Sequence, residues 1–160
     1  MINRRPNMKF EVKKITNPAD PVLETVVKWI CDWWGPEQNY DQMMDYYKRS
    51  LFENRLPMTY VGYADGTPVG TFQFGMGDIF VRPDLYPWLK HVCVAPEFRG
   101  KGYAKEMMEF ATEEIKEMHF DNFYLFTHLE GFYEKYGWKF VEIFNGYEDY
   151  GMQRMYVFTK

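Results

Sequence analysis

Residues Val94 to Ala104 read VAPEFRGKGYA, two-thirds of the way along the chain. An apolar run reaches a proline, a turn follows with glycines at 100 and 102, and apolar residues then recur at helical spacing from Ala104 onward. A strand, a glycine turn and a helix in that order can build an anion site. Gly100 and Gly102 permit positive φ and close approach of the backbone to a ligand. Successive N–H groups in such a turn can converge on one anion, and the helix that follows brings its positive dipole end to the same point. Arg99 and Lys101 add charge there. The stretch therefore predicts a phosphate cradle at a strand-to-helix junction.

Which phosphate it would hold depends on what the string lacks. A P-loop requires G-x-x-x-x-G-K-[ST], which occurs nowhere in the chain. A Rossmann or kinase G-x-G-x-x-G would place glycine at 105, where Lys105 stands. A Rossmann loop also comes early in a βαβ unit, and this turn follows a run of strands. What remains is [QR]-x-x-G-x-[GA], met by Arg99, Gly102 and Ala104.

The rest of the chain supplies a mixed framework. KFEVKKIT (Lys9–Thr16) alternates with the strand period, and Asp20-Pro21 opens a helix in which Val22, Val26, Ile30 and Trp33 share a face up to Gly35-Pro36. A second helix is predicted over Tyr40 to Phe52, with Met43, Tyr47 and Leu51 on one stripe. Asp65-Gly66, inside Ala64–Thr67, marks a tight hairpin. A loop from Gly77 to Pro87 precedes the strand Leu89–Pro96. A long helix then runs from about Lys101 to Met118, its apolar face carrying Ala104, Met107, Met108, Ala111, Ile115 and Met118. NFYLFTH is a further strand, LEGFYEKYGW a short helix ending at Gly137, and WKFVEIFN with MQRMYVFTK a closing hairpin. The order β-α-α-β-β-β-α-β-α-β-β implies an α+β fold.

The 160 residues suit one domain, 1–160, with residues 1–8 as a disordered or extended N-terminal segment. An apolar share of 46% is enough for a sizeable core, and the 20% aromatic share fits either a core or an aromatic-lined pocket. A net charge of −4 argues against a binder of extended nucleic acid. Cys31 and Cys93 exclude a disulfide framework and make a cysteine metal site improbable. The expected setting is cytoplasmic, with no membrane partner and no metal.

The run HVCVAPEFRGKGYAKEMMEFA resembles the acetyl-CoA binding motif of the GNAT N-acetyltransferase superfamily. FYEKYGW, about 30 residues downstream, resembles the family's second signature, and the element order is similar over roughly residues 8 to 160. PWLKHVCVAPEFRG looks like one branch of that superfamily. The resemblance implies a mostly antiparallel sheet splayed between its fourth and fifth strands, flanked by helices. It implies that backbone groups of Val92, Cys93 and Val94 pair with the pantetheine arm, and that the amides of Arg99, Gly100, Lys101, Gly102, Tyr103 and Ala104 hold the pyrophosphate. It further implies acetyl transfer from acetyl-CoA to a primary amine, a small amine or a peptide or protein N-terminus, in a ternary complex. Transfer of another acyl group and a non-catalytic CoA-binding sensor or interaction domain are the alternatives. Homodimers occur in the family.

Tyr133 matches the family tyrosine that protonates the departing thiolate, and its competing reading is a packing residue. No carboxylate stands in Pro87–His91, so His91, Asp78 and His128 are the candidate bases. Strand alternation turns His91 away from the face of Val92 and Val94 unless a bulge reverses it. Cys93 reads as buried filler rather than a nucleophile. The family's frequent asparagine seven residues before the tyrosine is absent, since Phe126 occupies that position. Trp34, Phe80 and Trp88, with Trp33 and Tyr40 nearby, are candidates for lining the acceptor pocket, with core packing as the alternative for each.

Overall fold

The computed structural model describes residues 7–34, 39–78, 82–145 and 151–160. In chain order these form β1 (Phe10–Ile15), α1 (Val22–Trp34), α2 (Tyr40–Lys48), β2 (Met58–Ala64), β3 (Thr67–Gly75) and β4 (Trp88–Val94). A 3-10 turn at Pro96–Phe98 leads into α3 (Tyr103–Glu117), then β5 (Asn122–Thr127), a second 3-10 turn at Tyr133–Tyr136, β6 (Lys139–Asn145) and β7 (Met152–Thr159). The seven strands lie in the order β1-β2-β3-β4-β5-β7-β6. The β1-β2, β2-β3, β5-β7 and β6-β7 pairings are antiparallel and β4-β5 is parallel. This is the GNAT fold class that the sequence implied. Six residues of β5 pair in register with β7, whereas its parallel ladder with β4 is the single pair Trp88–Tyr124.

The residues group into two compact units. One comprises the chain up to Phe74 together with His91–Met107. Its core gathers Ile15 from β1, Leu23, Val26, Val27 and Ile30 from α1, Tyr47 from α2 and Val61 from β2. Asp20 accepts a hydrogen bond from the Val22 N–H at 3.0 Å and Asn39 from the Gln42 N–H at 3.0 Å, so each helix starts at a side-chain cap. The hairpin turn is where Asp-Gly put it: Ala64 faces Thr67, with Asp65 at φ 48° and Gly66 at φ 80°.

α2 ends four residues before the Phe52 expected from its stripe. The Arg49 N–H bonds to Tyr46 O at 3.2 Å and the Ser50 N–H to Tyr47 O at 2.9 Å, three-residue closures that tighten and stop the helix. Leu51 still packs in the core from the loop beyond. Tertiary burial thus kept the stripe while local hydrogen bonding ended the helix.

Gly70 explains how β3, β4 and α3 pack. A Cβ there would lie 2.7 Å from Cys93 O and 2.8 Å from Met107 Cε, so only glycine lets the backbones approach. The Ala95 N–H then bonds to Val69 O at 2.9 Å and holds the chain beside β3 as it leaves β4 for the turn.

The second unit comprises Gly75–Lys90 and Met108–Lys160. β5, β7 and β6 form its antiparallel part, with Trp88 and Met155 buried against Leu85, Tyr124, Phe126 and Phe144. Phe126, standing where the family's asparagine would be, is here an aromatic packing residue. FYEKYGW forms the 3-10 turn and ends, as its glycine foretold, at Gly137 with φ 92°.

Candidate active site

The turn is built almost wholly from backbone. After Val94 the Phe98 N–H bonds to Ala95 O at 2.9 Å and the Arg99 N–H to Pro96 O at 3.3 Å, closing the 3-10 turn. Gly100 and Gly102 then take φ of 75° and 82°, the left-handed region that side-chain-bearing residues avoid. The first helical bond of α3 runs from the Glu106 N–H to Gly102 O at 3.3 Å. The N–H groups of Tyr103, Ala104 and Lys105 therefore precede the first intrahelical donor and lie at the positive end of a 15-residue helix. A Cβ on Gly100 would meet nothing within 4 Å, so the space over the turn is open. These features fit a pyrophosphate.

Side chains hold the turn in place. The Tyr103 ring is buried, stacked on Phe10 at 5.5 Å, and its hydroxyl donates to the Met8 sulfur at 2.9 Å. Tyr103 can thus offer a ligand its amide while its ring anchors the helix start. The Arg99 Nε donates to Val94 O at 3.1 Å, and its guanidinium lies over the Trp33 ring at 4.2 Å. That stack is worth about 0.5–1 kcal/mol at an exposed site. It is enough to orient the arginine, and sequence reading did not find it.

Within β4, His91 has φ 54°. A histidine at positive φ inside a strand interrupts the pleat and is a local strain of about 1–3 kcal/mol. The strand alternation that set the expected facing of His91 is interrupted at this residue. Its Nδ1 lies 2.7 Å from the Tyr47 hydroxyl, and its ring packs against Trp34 at 5.6 Å, Tyr46 at 5.9 Å and Tyr47 at 5.7 Å. Two expected site residues, Trp34 and His91, are therefore in contact. Tyr46 and Tyr47 are the partners missed: Tyr47 lies on the stripe read as core, which it also is.

The other candidate bases differ. Asp78 and Lys90, 16% and 11% exposed, pair at 3.7 Å, and Lys90 Nζ also donates to Gly77 O at 3.0 Å. Burial raises the Asp78 carboxyl to about 6, against the opposing pull of Lys90. His128 is exposed just past β5. The buried Cys93 thiol is pushed up to about 11 by desolvation, so at neutral pH it is a protonated filler.

Tyr133 is buried, in edge contact with Phe132 at 4.9 Å and beside Tyr156 at 6.2 Å and Trp138 at 6.4 Å. Desolvation drives its pKa upward, so the phenol keeps its proton. Trp88, read as either pocket wall or core, packs as core: it is fully buried and its indole N–H donates to Leu85 O at 2.7 Å. Its large apolar area is satisfied by Tyr124 and Phe126, which face it on β5. Trp33 and Tyr40 are exposed. Phe80 lies outside the described residues. Among the described residues no helix is long and apolar enough to cross a membrane, and no group of three or more His, Cys, Asp or Glu could hold a metal ion.

A sequence model of the acetyltransferase (GNAT) family matches residues 23–138, more than half the chain. Three solved structures illustrate the likeness. An N-acetyltransferase from Staphylococcus aureus is 15% identical with a TM-score of 0.74, covering 94% of this chain and 98% of that one. A GNAT family acetyltransferase from Elizabethkingia anophelis with acetyl-CoA bound is 14% identical with a TM-score of 0.68, covering 94% and 98%. An acetyltransferase from Salmonella typhimurium that modifies the N-terminal serine of ribosomal protein L7/L12 is 11% identical with a TM-score of 0.70, covering 97% and 96%. At these identities the likeness is one of fold. No curated protein sequence matches the chain.

Proposed function

The chain belongs to the GNAT acetyltransferase family, and from that premise we propose that it moves an acetyl group from acetyl-CoA to a primary amine by direct attack, without an acyl-enzyme. The observation that carries the reading is the turn at 99–104. Two positive-φ glycines, open space over Gly100 and the start of a 15-residue helix are what a pyrophosphate needs.

When bound, the thioester supplies the activated acyl group. The remaining work belongs to the protein's own residues. The amides of Arg99 to Ala104 hold the pyrophosphate, and the backbone of Val92, Cys93 and Val94 receives the pantetheine arm as an added strand. One N–H from that strand donates to the acetyl carbonyl oxygen as negative charge develops on it. Holding amine and thioester together supplies much of the rate, on the order of 7–11 kcal/mol in well-oriented cases.

His91 is the assigned base because its ring is fixed by three aromatic neighbours and by a bond at one nitrogen. Asp78 already faces Lys90. Tyr133 supplies the hydrogen bond, and then the proton, for the departing sulfur. Its upward-shifted pKa keeps that proton in place until the C–S bond breaks.

The acceptor class follows from pKa. An α-amino group near 8 needs less help at neutral pH than a lysine near 10.4, so small amines of low pKa and peptide N-termini are the favoured acceptors. The Salmonella relative in fold that modifies an N-terminal serine is a reason to include peptides in a panel. The test is release of free CoA thiol with small amines and with peptides whose N-termini are free or blocked. Turnover on a free amine and none on its blocked form is expected. Binding of acetyl-CoA without turnover on any amine would replace the transferase with a CoA-binding module.

A further inference from the structure

His91 is held in a way that plain packing does not require. Its backbone is left-handed, its ring meets Trp34 from α1 and Tyr46 and Tyr47 from α2, and its Nδ1 lies 2.7 Å from the hydroxyl of the fully buried Tyr47. α2 is itself tied to the sheet. The Tyr46 hydroxyl donates to Gln73 Oε1 at 2.5 Å, Gln73 Nε2 donates to Thr59 Oγ1 at 3.0 Å, and Thr59 Oγ1 donates to Ser50 O at 2.9 Å. Gln73 and Thr59 are buried, so this chain of bonds fixes the helix against β2 and β3.

We propose that Tyr47 is a positioning residue for His91: its phenol oxygen accepts the Nδ1–H and leaves the Nε2 lone pair to receive the acceptor's proton. The inference rests on the assignment of His91 as base. A phenol can donate or accept. If it donated to Nδ1, the neutral ring would carry its proton on Nε2 and could take none there. In the imidazolium both nitrogens donate, so the phenol must accept at Nδ1 once the ring is charged. A phenol that accepts in the neutral ring also needs no reorientation when the proton arrives.

The step balances. The acceptor ammonium gives one proton to Nε2, and the neutral nitrogen bonds to the acetyl carbon as the C–S bond breaks. The new amide nitrogen sheds a second proton, the sulfur leaves with the bonding electron pair and is protonated, and the imidazolium returns its proton to solvent. The net release is one proton per acetyl transferred to an ammonium.

Two measurements on Tyr47→Phe and the wild type test this. Nitrogen-15 NMR of the wild type above the histidine's titration is expected to show a pyrrole-like Nδ1 and a pyridine-like Nε2, and Tyr47→Phe to lose that preference. Kinetically, Tyr47→Phe should lower kcat/KM for the amine about tenfold and leave the Kd of acetyl-CoA unchanged. Its acid limb should move to lower pH, because the charged ring loses an acceptor. Tyr46 and Tyr47 are titratable groups that pack against the ring, and Trp34 beside them does not titrate. A pyridine-like Nδ1 in the wild type overturns the proposal, whether or not the variant folds. So does a variant with tautomer and acid limb unchanged. The NMR assignment needs no turnover. Failure of His91→Gln to slow an active enzyme would therefore remove the base role and leave the tautomer to be judged separately.

Discussion

The turn at Pro96–Gly102 and the ring cluster around His91 stand a few residues apart on one segment, yet they are built from different material. The turn is backbone: two glycines at positive φ, a 3-10 closure and the first N–H groups of α3. Its side chains Arg99 and Tyr103 brace it from outside. The His91 cluster is side chain throughout, and three of its members arrive from α1 and α2, more than forty residues earlier in the chain. A backbone site depends on conformation, so changing one glycine should remove the function. A side-chain site depends on partners, so it should fail by degrees as each is deleted.

The largest effect is expected in the turn. Gly102→Asp places a side chain on a residue at φ 82° and a negative charge where phosphate is to bind. CoA affinity should fall by at least about a thousandfold, more than 4 kcal/mol, while circular dichroism shows a folded chain. Retained binding by calorimetry would remove the cradle from the comparison.

Asp78 tests charge held by partners. Its folded carboxyl sits at about 6 against an ordinary 3.8, a difference worth roughly 3 kcal/mol. The raised value means the folded state holds the proton more tightly. That contribution to stability is complete below about pH 4 and is lost as pH rises through about 6. Asp78→Asn has no such loss. The melting temperature of the variant relative to wild type should therefore climb between pH 4 and 7. A flat difference would show that Lys90 offsets the burial of the carboxylate.

Deleting the ring nitrogens of His91 should cost less than deleting the cradle. His91→Gln is expected to lower kcat about a hundredfold, the low end of general-base catalysis, with the Kd of acetyl-CoA unchanged. A parallel loss of acetyl-CoA affinity would mean that the positive φ at His91 shapes the cofactor strand, and would merge the two regions into one site.

The same contrast decides what could be read from the chain. Asp65-Gly66, Gly137 and the glycines at 100 and 102 each announce a backbone conformation by residue type, and each appears where the string placed it. The strand and helix order was legible because apolar periodicity is local. Tyr47 was legible only as core, since a stripe position is the same letter whether its hydroxyl is idle or bonded to a histidine 44 residues away. Trp88 went the other way. A tryptophan before a strand left pocket and core equally open, and only the facing Tyr124 and Phe126 show that it packs in the core. Chemistry that depends on long-range partners is not written in one segment.

Tyr133 lies between these two cases, a side chain found through a local motif, and it carries the smallest predicted effect. Burial among Phe132, Trp138 and Tyr156 raises its pKa and so keeps the proton available, but the same burial makes complete transfer to a thiolate uphill. The hydrogen bond to the sulfur as charge develops on it is then worth more to the rate than the proton transfer that follows. Tyr133→Phe should consequently reduce kcat by about tenfold, one hydrogen bond to developing charge, with acetyl-CoA affinity intact. The penalty should also shrink for a thioester whose thiol has a lower pKa, because a better leaving group needs less help. Tyr136→Phe is the control, since Tyr136 is half-buried at the far end of the same turn and packs on Phe132 at 5.5 Å. If the loss, and its dependence on the leaving group, follow Tyr136 instead, then the motif identified the right turn and the wrong phenol.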